Sequence, residues 1–480
     1  MSNLSQDYEI TIGIECHVQL ATKTKLFSPA DNDARDQNPN TCVSPIDYAL
    51  PGMLPLLNAA AVKLAVRAGH AMNCEIHPTS HFDRKHYFYP DLPKGYQISQ
   101  FFQPLIGAGH ISLPDGSRVR IEHAHLEEDA GKLTHYGAYS LVDLNRAGTP
   151  LLEIVSQPDI HSARQAAAYC KELWRIMTYA GVTLGDLYQG NMRFDINISV
   201  AKTGAKTLGT RTEIKNLNSF RSVERAVEYE AKRQIQLLTA GEKIKQETRG
   251  WSDDTGKTTS QRSKEAAADY RYMPEPDIPP LELSSEFIAA ERTKLPTMPS
   301  DYRKLFSDSI PTETTEIILD YPHLAESLSA IIETPAKPSL ILKVANLFTS
   351  VLLAEENTSL LNNPLPSTTQ LLDLVTMHEN HELSSTATKE IFLKLFTQKM
   401  QDKDTRTLAK ELNLLQENDT DALAAIIDRV LQESETQQAQ ADYRAGETKA
   451  LGFLVGQVMK ESKGKANPSA VQDILKQKLS

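Results

Sequence analysis

The sequence predicts an α+β chain: a largely antiparallel sheet with flanking helices over about the first 290 residues, then helices to the end. Three observations lead there. Several segments alternate apolar and polar residues with a period of two, the signature of strands buried on one face. Three segments before residue 240 switch to helical spacing. After the proline cluster 274–280 the composition turns to Leu, Ala, Glu, Lys and Thr, with few clusters of reactive side chains.

The clearest strand covers residues 10–20. Ile10, Ile12, Ile14, Cys16, Val18 and Leu20 share one face, and Glu15, His17 and Gln19 line up on the other. A carboxylate and an imidazole two residues apart on one strand face can share a cation. The same pattern also fits a plain solvated face. Residues 21–58 read as a long irregular excursion, and connections of that length are usually functional or disordered. A helix follows over 59–72, with Asn58 as N-cap.

The segment His81 to Tyr96 mixes basic, aromatic and turn residues, which suits phosphate and base contacts or, equally, a packed surface loop. Asp115-Gly116 marks a hairpin turn. The strand after it runs into Glu127-Glu128-Asp129, three acids whose grouping requires solvation or a cation. Residues 141–155 read as strand, turn at Gly148-Thr149-Pro150, strand. A helix capped by Ser162 runs to Thr178. Residues 193–200 form a second alternating strand with Arg193, Asp195 and Asn197 outward. Residues 210–218 form a polar third strand, and 222–238 a charged amphipathic helix. Antiparallel sheets can keep one wet face. A wet face this dense in Glu, Asp, Asn, His, Lys and Arg reads as a binding surface.

The 480-residue chain has 40% hydrophobic and 24% charged residues and a net charge of −11. That is ordinary globular composition, and it disfavours bulk non-specific nucleic-acid binding. The last segment, 443–480, departs from this with seven basic against three acidic residues, net +4. It reads either as a phosphate-backbone contact or as an ordinary helix pair. Gly452 and Gly456 suggest close helix packing there, and residues 462–468 a flexible basic loop. Composition places boundaries near residue 290 and around 400–406. No stretch is apolar enough to span a bilayer. The polar start, 1–8, carries no signal pattern. Cys16, Cys42, Cys74 and Cys170 form no C-x-x-C pair, so a reducing cytoplasmic setting is expected.

The phosphate-loop, dinucleotide and nucleophile-elbow motifs are all missing from the sequence. Carboxylates with one histidine and nearby lysines suit Mg²⁺ and phosphoryl transfer. Zinc hydrolysis competes, without an H-E-x-x-H motif to support it. The remaining rivals are a free-standing kinase or ligase of small carboxylates and a non-catalytic RNA-binding scaffold.

Long motifs decide more. Ile12-Gly13-Ile14-Glu15-Cys16-His17-Val18, Phe82-Asp83-Arg84-Lys85-His86-Tyr87-Phe88-Tyr89-Pro90-Asp91 and His125-Leu126-Glu127-Glu128-Asp129-Ala130-Gly131-Lys132 come first. Asp143-Leu144-Asn145-Arg146-Ala147-Gly148-Thr149-Pro150-Leu151-Leu152-Glu153-Ile154, Lys215-Asn216-Leu217-Asn218, Asp269-Tyr270-Arg271-Tyr272-Met273-Pro274-Glu275-Pro276-Asp277 and Gly452-Phe453-Leu454-Val455-Gly456-Gln457 follow in order. By these the chain resembles the B subunits of the glutamyl-tRNA(Gln)/aspartyl-tRNA(Asn) amidotransferases over nearly its whole length.

The resemblance implies a cradle-like catalytic domain (1–290), an all-α helical domain (291–405) and a small helical tail domain (406–480) that contacts tRNA. It implies ATP and Mg²⁺ as cofactors. The partners it implies are an amidase (glutaminase) subunit, the small connecting subunit of the same heterotrimer, and misacylated tRNA(Gln) or tRNA(Asn), with no membrane. By the family's pattern His17, Glu128 and Glu153, with Glu15, are the expected metal ligands. Arg84, Lys85, Tyr87 and Tyr89 are expected at the nucleotide. Glu15, Lys85, Asn145, Arg146, Asp195 and Lys215 are expected in catalysis. Many members carry a zinc-binding C-x-x-C pair before the Pro-Gly-x-Leu-Pro segment. Here Cys42-Val43-Ser44-Pro45 lacks the second cysteine, so no zinc is expected.

Overall fold

The computed structural model describes residues 7–263, 269–397, 403–416, 420–462 and 466–479. The chain divides into two compact units, 1–300 and 301–480.

The first unit begins with β1 (Tyr8–Gln19), then α1 (Ala59–Ala71), β2 (Thr79–Ser80), β3 (Asp83–His86), β4 (Tyr96–Ser99) and β5 (Gly109–Ser112). Next come β6 (Arg118–Glu128), β7 (Lys132–Tyr136), β8 (Tyr139–Asp143), β9 (Pro150–Ser156), α2 (Ala163–Tyr179), β10 (Met192–Lys202), β11 (Thr212–Leu217) and α3 (Phe220–Thr239). It closes with β12 (Glu247–Ser252), β13 (Lys257–Ser263), β14 (Met273–Pro274), β15 (Leu281–Glu282) and α4 (Ser285–Arg292).

Eight strands form one sheet in the order β13-β12-β11-β10-β1-β9-β6-β5. Its pairings are antiparallel except β11 with β12. Thus β1 lies at the centre. Its even residues, Ile12, Ile14, Cys16 and Val18, are fully buried in a core shared with α1, α2 and α3. Cys16 is packing, as its face predicted. The helices form where expected, each N-capped: Asn58 accepts from Ala60 N–H, Ser162 from Gln165 N–H and Ser219 from Ser222 N–H.

The excursion after β1 is irregular, as expected, but tied down. Asp47 Oδ2 accepts from Lys25 Nζ (3.3 Å), Ser28 Oγ (3.0 Å) and Ser44 N–H (2.8 Å). Lys25 is fully buried. A second anchor joins this loop to the β8–β9 connection. Asn145 Oδ1 accepts from Cys42 N–H (2.8 Å), and its Nδ2 donates to Asn38 O (2.8 Å). The Cys42 thiol points to Asp33 O at 3.9 Å.

The first unit extends past residue 290 because α4 packs on α1. Arg67 Nη2 meets the buried Glu291 at 3.0 Å. A boundary at 290 would cut α4 in two. In the second unit the helix Thr405–Glu411 is bonded to the helix Thr368–Glu379: Thr405 Oγ1 donates to Gln370 O and Gln370 Nε2 to Lys403 O. It therefore goes with the helices before it, and residue 405 also falls inside an element. The helices Thr420–Gln432, Ala450–Glu461 and Pro468–Leu479 share their own core of Leu423, Ile427, Val430, Leu454, Val458, Val471 and Leu475. Gly452 and Gly456 are not packing glycines: an added Cβ at either meets nothing. The close-packing expectation fails because both face outward. Lys463, Gly464 and Lys465 of the expected basic loop lie outside the described residues.

Truncating a central core residue of β1 should cost about 3 kcal/mol. Ile14→Ala is therefore expected to lower the melting temperature of the first unit by roughly 6 °C. Thr11→Ala, on the other face, should stay within about 0.5 kcal/mol of wild type. Differential scanning calorimetry of both variants checks this.

Candidate active site

Register brings the polar face of β1 together with three neighbours. His17 sits opposite Glu153 on β9 and Arg193 on β10. Glu153 in turn sits opposite His125 on β6. Paired residues share a face, and so do residues two apart. His17, Glu153, His125 and Glu127 therefore point the same way. His17 Nε2 lies 3.5 Å from Glu127 Oε1 and 3.4 Å from Glu153 Oε2. His125 Nε2 is 3.7 Å from Glu153 Oε2. One donor atom each from His17, Glu127 and Glu153 falls within 4.8 Å of the others.

This corrects the expected ligand Glu128. It shares a face with Ala124 and Leu126, turned away from His17. Its carboxylate accepts from Ile98 N–H (2.9 Å) and from Lys94 Nζ (2.5 Å), so it joins β6 to β4. The signal was present in the sequence: carrying the alternation of Ala124 and Leu126 two residues further puts Glu128 inward and Glu127 outward.

A second carboxylate group adjoins the first. Glu15, Asp195 and Glu213 also place donor atoms within 4.8 Å of one another. Lys215 Nζ compensates them, at 2.7 Å from Asp195 and 3.4 Å from Glu213. Asn197 Nδ2 donates to Glu15 Oε1 at 2.9 Å. Glu213 was missed in the sequence, although its alternation with Ile214 puts it on the wet face beside Lys215.

A cleft of about 400 Å³ opens over the first group and reaches Asp195 of the second, lined among others by His17, Lys85, Tyr87, Glu127, Glu153, Arg193, Asp195 and Lys215. Of the residues expected here from sequence, Arg84 belongs elsewhere. It forms a two-pronged pair with Glu275 (2.8 Å each) and a third contact with Asp277 (3.1 Å), so it is committed to holding β14 against β3. Tyr89 is half exposed and outside the cleft lining. Asn145 is the loop anchor described above. Arg146 donates to Ala130 O (3.0 Å) and Gly131 O (2.8 Å) and lines a separate cavity of about 570 Å³ with Gln19, Lys23 and Asp33. The third acid of the run, Asp129, lines the same cleft. It receives Arg193 Nη2 at 2.7 Å and Arg146 Nε at 3.3 Å.

Charge crowding sets the electrostatics. Burial alone would lower the pKa of His17, but its hydrogen bond to Glu153 and the pull of Glu127 hold it at about 9. Burial and the neighbouring Glu153 charge push Glu127 up. Burial acts to raise Glu153, and His125 and His17 overcome this to hold it down. Burial with the charges of Glu153, Asp195 and Glu213 raises Glu15. His125 is pushed down to about 4 by burial, and its Nδ1 is buried without a hydrogen-bond partner among the described residues. Lys85 is lowered by burial but raised more by Glu127 and the rings and charges around it. Two crowded carboxylates held together by a protonated imidazole form a donor set in which a hard divalent cation would take over the charge that the His17 proton supplies.

Comparison with known proteins fits this geometry. Residues 10–289 match the GatB/GatE catalytic domain, and residues 327–479 match the GatB domain. The chain is 42% identical to the aspartyl/glutamyl-tRNA(Asn/Gln) amidotransferase B subunit of Thermosynechococcus vestitus, covering 99% of this chain and 97% of that protein. It is 43% identical to the B subunit of Halorhodospira halophila (98% and 99% covered) and 41% to that of Thermotoga neapolitana (98% and 99%). The chain belongs to the family of amidotransferase B subunits. Members of this family are subunits of carbon–nitrogen ligases that act in protein biosynthesis. Among the described residues no single helix is long and apolar enough to cross a membrane.

Two outcomes test the site. In cation-free protein the His17–Glu153 pairing contributes stability that is complete below the unfolded-state pKa of about 6.5. That contribution is lost as pH rises through about 9. A divalent ion must displace the His17 proton, so Mg²⁺ affinity should rise about tenfold per pH unit and level off above about pH 9. Isothermal titration across pH 7–10 reads this, and a flat profile contradicts it. Secondly, Glu127→Gln should weaken Mg²⁺ binding about 100-fold or more. Glu128→Gln should lower thermal stability while Mg²⁺ titrates with unchanged affinity. The opposite pattern would restore Glu128 as ligand.

Proposed function

We propose that this chain uses ATP and Mg²⁺ to activate the side-chain carboxylate of Glu or Asp misacylated on tRNA(Gln) or tRNA(Asn), and then converts it to the amide. The observation that carries the reading is the cleft in which His17, Glu127, Glu153 and Asp195 face Lys85, Arg193 and Lys215, with Glu15 and Glu213 grouped beside Asp195. A carboxylate is a poor acyl donor until one oxygen becomes a leaving group. Its oxygen attacks the γ-phosphorus of ATP, the bond to the bridging oxygen breaks, and ADP leaves. Ammonia then attacks the carbonyl carbon of the acyl phosphate, the C–O bond breaks, and inorganic phosphate departs with the electron pair. The nitrogen loses a proton to become the amide.

The donor chemistry fits Mg²⁺, with His17, Glu127 and Glu153 as the holding residues and Glu15, Asp195 and Glu213 as a second group. When bound, the cation supplies charge neutralisation at the phosphates. The protein's own groups do the rest. Lys85 is held cationic beside Glu127 and faces the transferring phosphoryl. Asn197 orients Glu15. A smaller cleft of about 270 Å³ along Gly13, Glu15, Pro158, Ser199, Gly209 and Arg211 shares Glu15 with the second group and suits the nucleoside. On this reading Lys85 and Tyr87 stay with the phosphates, and Arg84 and Tyr89, also expected at the nucleotide, do not reach the nucleoside.

Ammonia comes from a glutaminase subunit of the same complex, and a small third subunit completes the assembly. The relatives are themselves named as B subunits, which supports a multi-subunit enzyme. The basic C-terminal helices contact the tRNA backbone. The cellular compartment is the cytoplasm.

The assembled three-subunit complex should convert Glu-tRNA(Gln) or Asp-tRNA(Asn) only with ATP, Mg²⁺ and glutamine present. Lys85→Met should reduce kcat about 100-fold or more with tRNA binding retained. Amide formation is read by thin-layer separation of the released amino acids. No conversion of either tRNA by an intact complex would overturn the assignment, and turnover of free glutamate would favour a small-carboxylate ligase.

A further inference from the structure

The cleft has an aromatic exit that the phosphoryl chemistry does not use. Lys85 Nζ lies 5.1 Å from the centroid of the Tyr270 ring. Tyr270 meets Tyr87 edge-on at 6.4 Å and Tyr272 at 6.2 Å. Tyr272 stacks on Phe101 with centroids 3.9 Å apart and ring planes 13° from parallel. Phe102 stands edge-on to Phe101 at 5.1 Å. The rings thus run without a gap from the carboxylate cluster to the surface, where Phe101 and Phe102 are 55% and 58% exposed.

These rings are held in place by polar groups. The fully buried Asp83 accepts from both Phe101 N–H (2.7 Å) and Phe102 N–H (3.0 Å) through one oxygen. Between the two tyrosines, Arg271 has φ +45°, a left-handed backbone that a non-glycine residue adopts at a cost. His86 fixes it there: its N–H donates to Tyr270 O (2.8 Å) and its ring Nδ1 bonds Arg271 O (2.9 Å). The strain presents a tyrosine on each side of an exposed guanidinium. Arg271 makes no ion pair with the described residues.

We propose that this shelf binds the unpaired 3′-terminal nucleotides of the aminoacylated RNA. The proposal rests on the reading of the substrate as an aminoacyl-tRNA. Three features select unpaired nucleotides as the occupant. Every base has a π-face, so ring stacking holds a strand without needing its sequence. The exposed Arg271 cation supplies the charge complement to a phosphate between two stacked bases. The shelf is continuous with the cleft that must receive the esterified end of the same strand, with Lys85 at the junction. Bases stack on Phe101, Phe102 and Tyr272, and the amino acid reaches past Tyr270 to Lys85.

The test uses the assembled complex and two RNAs: the full-length uncharged tRNA and the same tRNA lacking its three 3′-terminal nucleotides. Wild-type complex should bind the trimmed RNA about tenfold more weakly. Phe101→Ala and Tyr272→Leu should lose that preference and raise KM for misacylated tRNA about tenfold, with kcat changed less. Tyr272→Phe keeps the ring and should restore both. Equal binding of the two RNAs by wild type overturns the proposal, and so does a Phe101→Ala complex with unchanged preference and KM. Phe101 is exposed, so its truncation tests the shelf even where Tyr272→Leu fails to fold. If Phe101→Ala instead dissociates the subunits on gel filtration, the shelf is a protein interface and the proposal falls. A wild-type complex that neither binds nor converts tRNA overturns the functional reading itself.

Discussion

The half-burial of β1 is the constraint on which the site depends. Ile12, Ile14, Cys16 and Val18 are buried to 1% exposure or less and lie at the centre of an eight-stranded sheet, between β10 and β9. A slip of one residue would turn Ile12, Ile14, Cys16 and Val18 to water and Glu15 and His17 into the core. Burying such charges unpaired costs far more than losing one core contact. The register is therefore fixed by the core, and it carries the polar face with it. Glu15, His17, Glu127, Glu153, Asp195 and Glu213 meet because the apolar residues alternating with them have only one place to go.

That meeting is costly by itself, and the surrounding basic groups answer it. Lys215 sits among Asp195 and Glu213, Arg193 holds Asp129, and Lys85 faces Glu127 and Glu153. The protonated His17 bridges Glu127 and Glu153. The resting site is thus balanced by groups that a cation or a phosphate would displace or use. Such stored charge is characteristic of sites poised for polyanionic ligands.

Around this face, ion pairs that sequence inspection assigns to chemistry turn out to place loops. Arg84 with Glu275 and Asp277 brings the Tyr270–Tyr272 stretch against β3. Glu128 joins β6 to β4 through Ile98 N–H and holds Lys94 just before it, and Asn145 anchors the long loop after β1. Each holds a rigid edge of the cleft. Loss of any of them would move site residues without touching them.

The sequence by itself determined the strands with clean alternation, the three capped helices, the helical second half and the family, because period, caps and long motifs are local. It also singled out Glu15, His17, Glu153, Asp195, Lys85 and Lys215, which the fold brings close together. Alternation along β6 already turns Glu127 outward, but tertiary structure decided that it meets His17, that Glu213 joins Glu15, and that Arg84 and Asn145 hold loops. It also decided that Gly452 and Gly456 face solvent. These depend on strand register and on partners up to about 190 residues away in sequence, as with Arg84 and Glu275. A charged side chain's role is set by the partner it meets, and no local pattern records that partner.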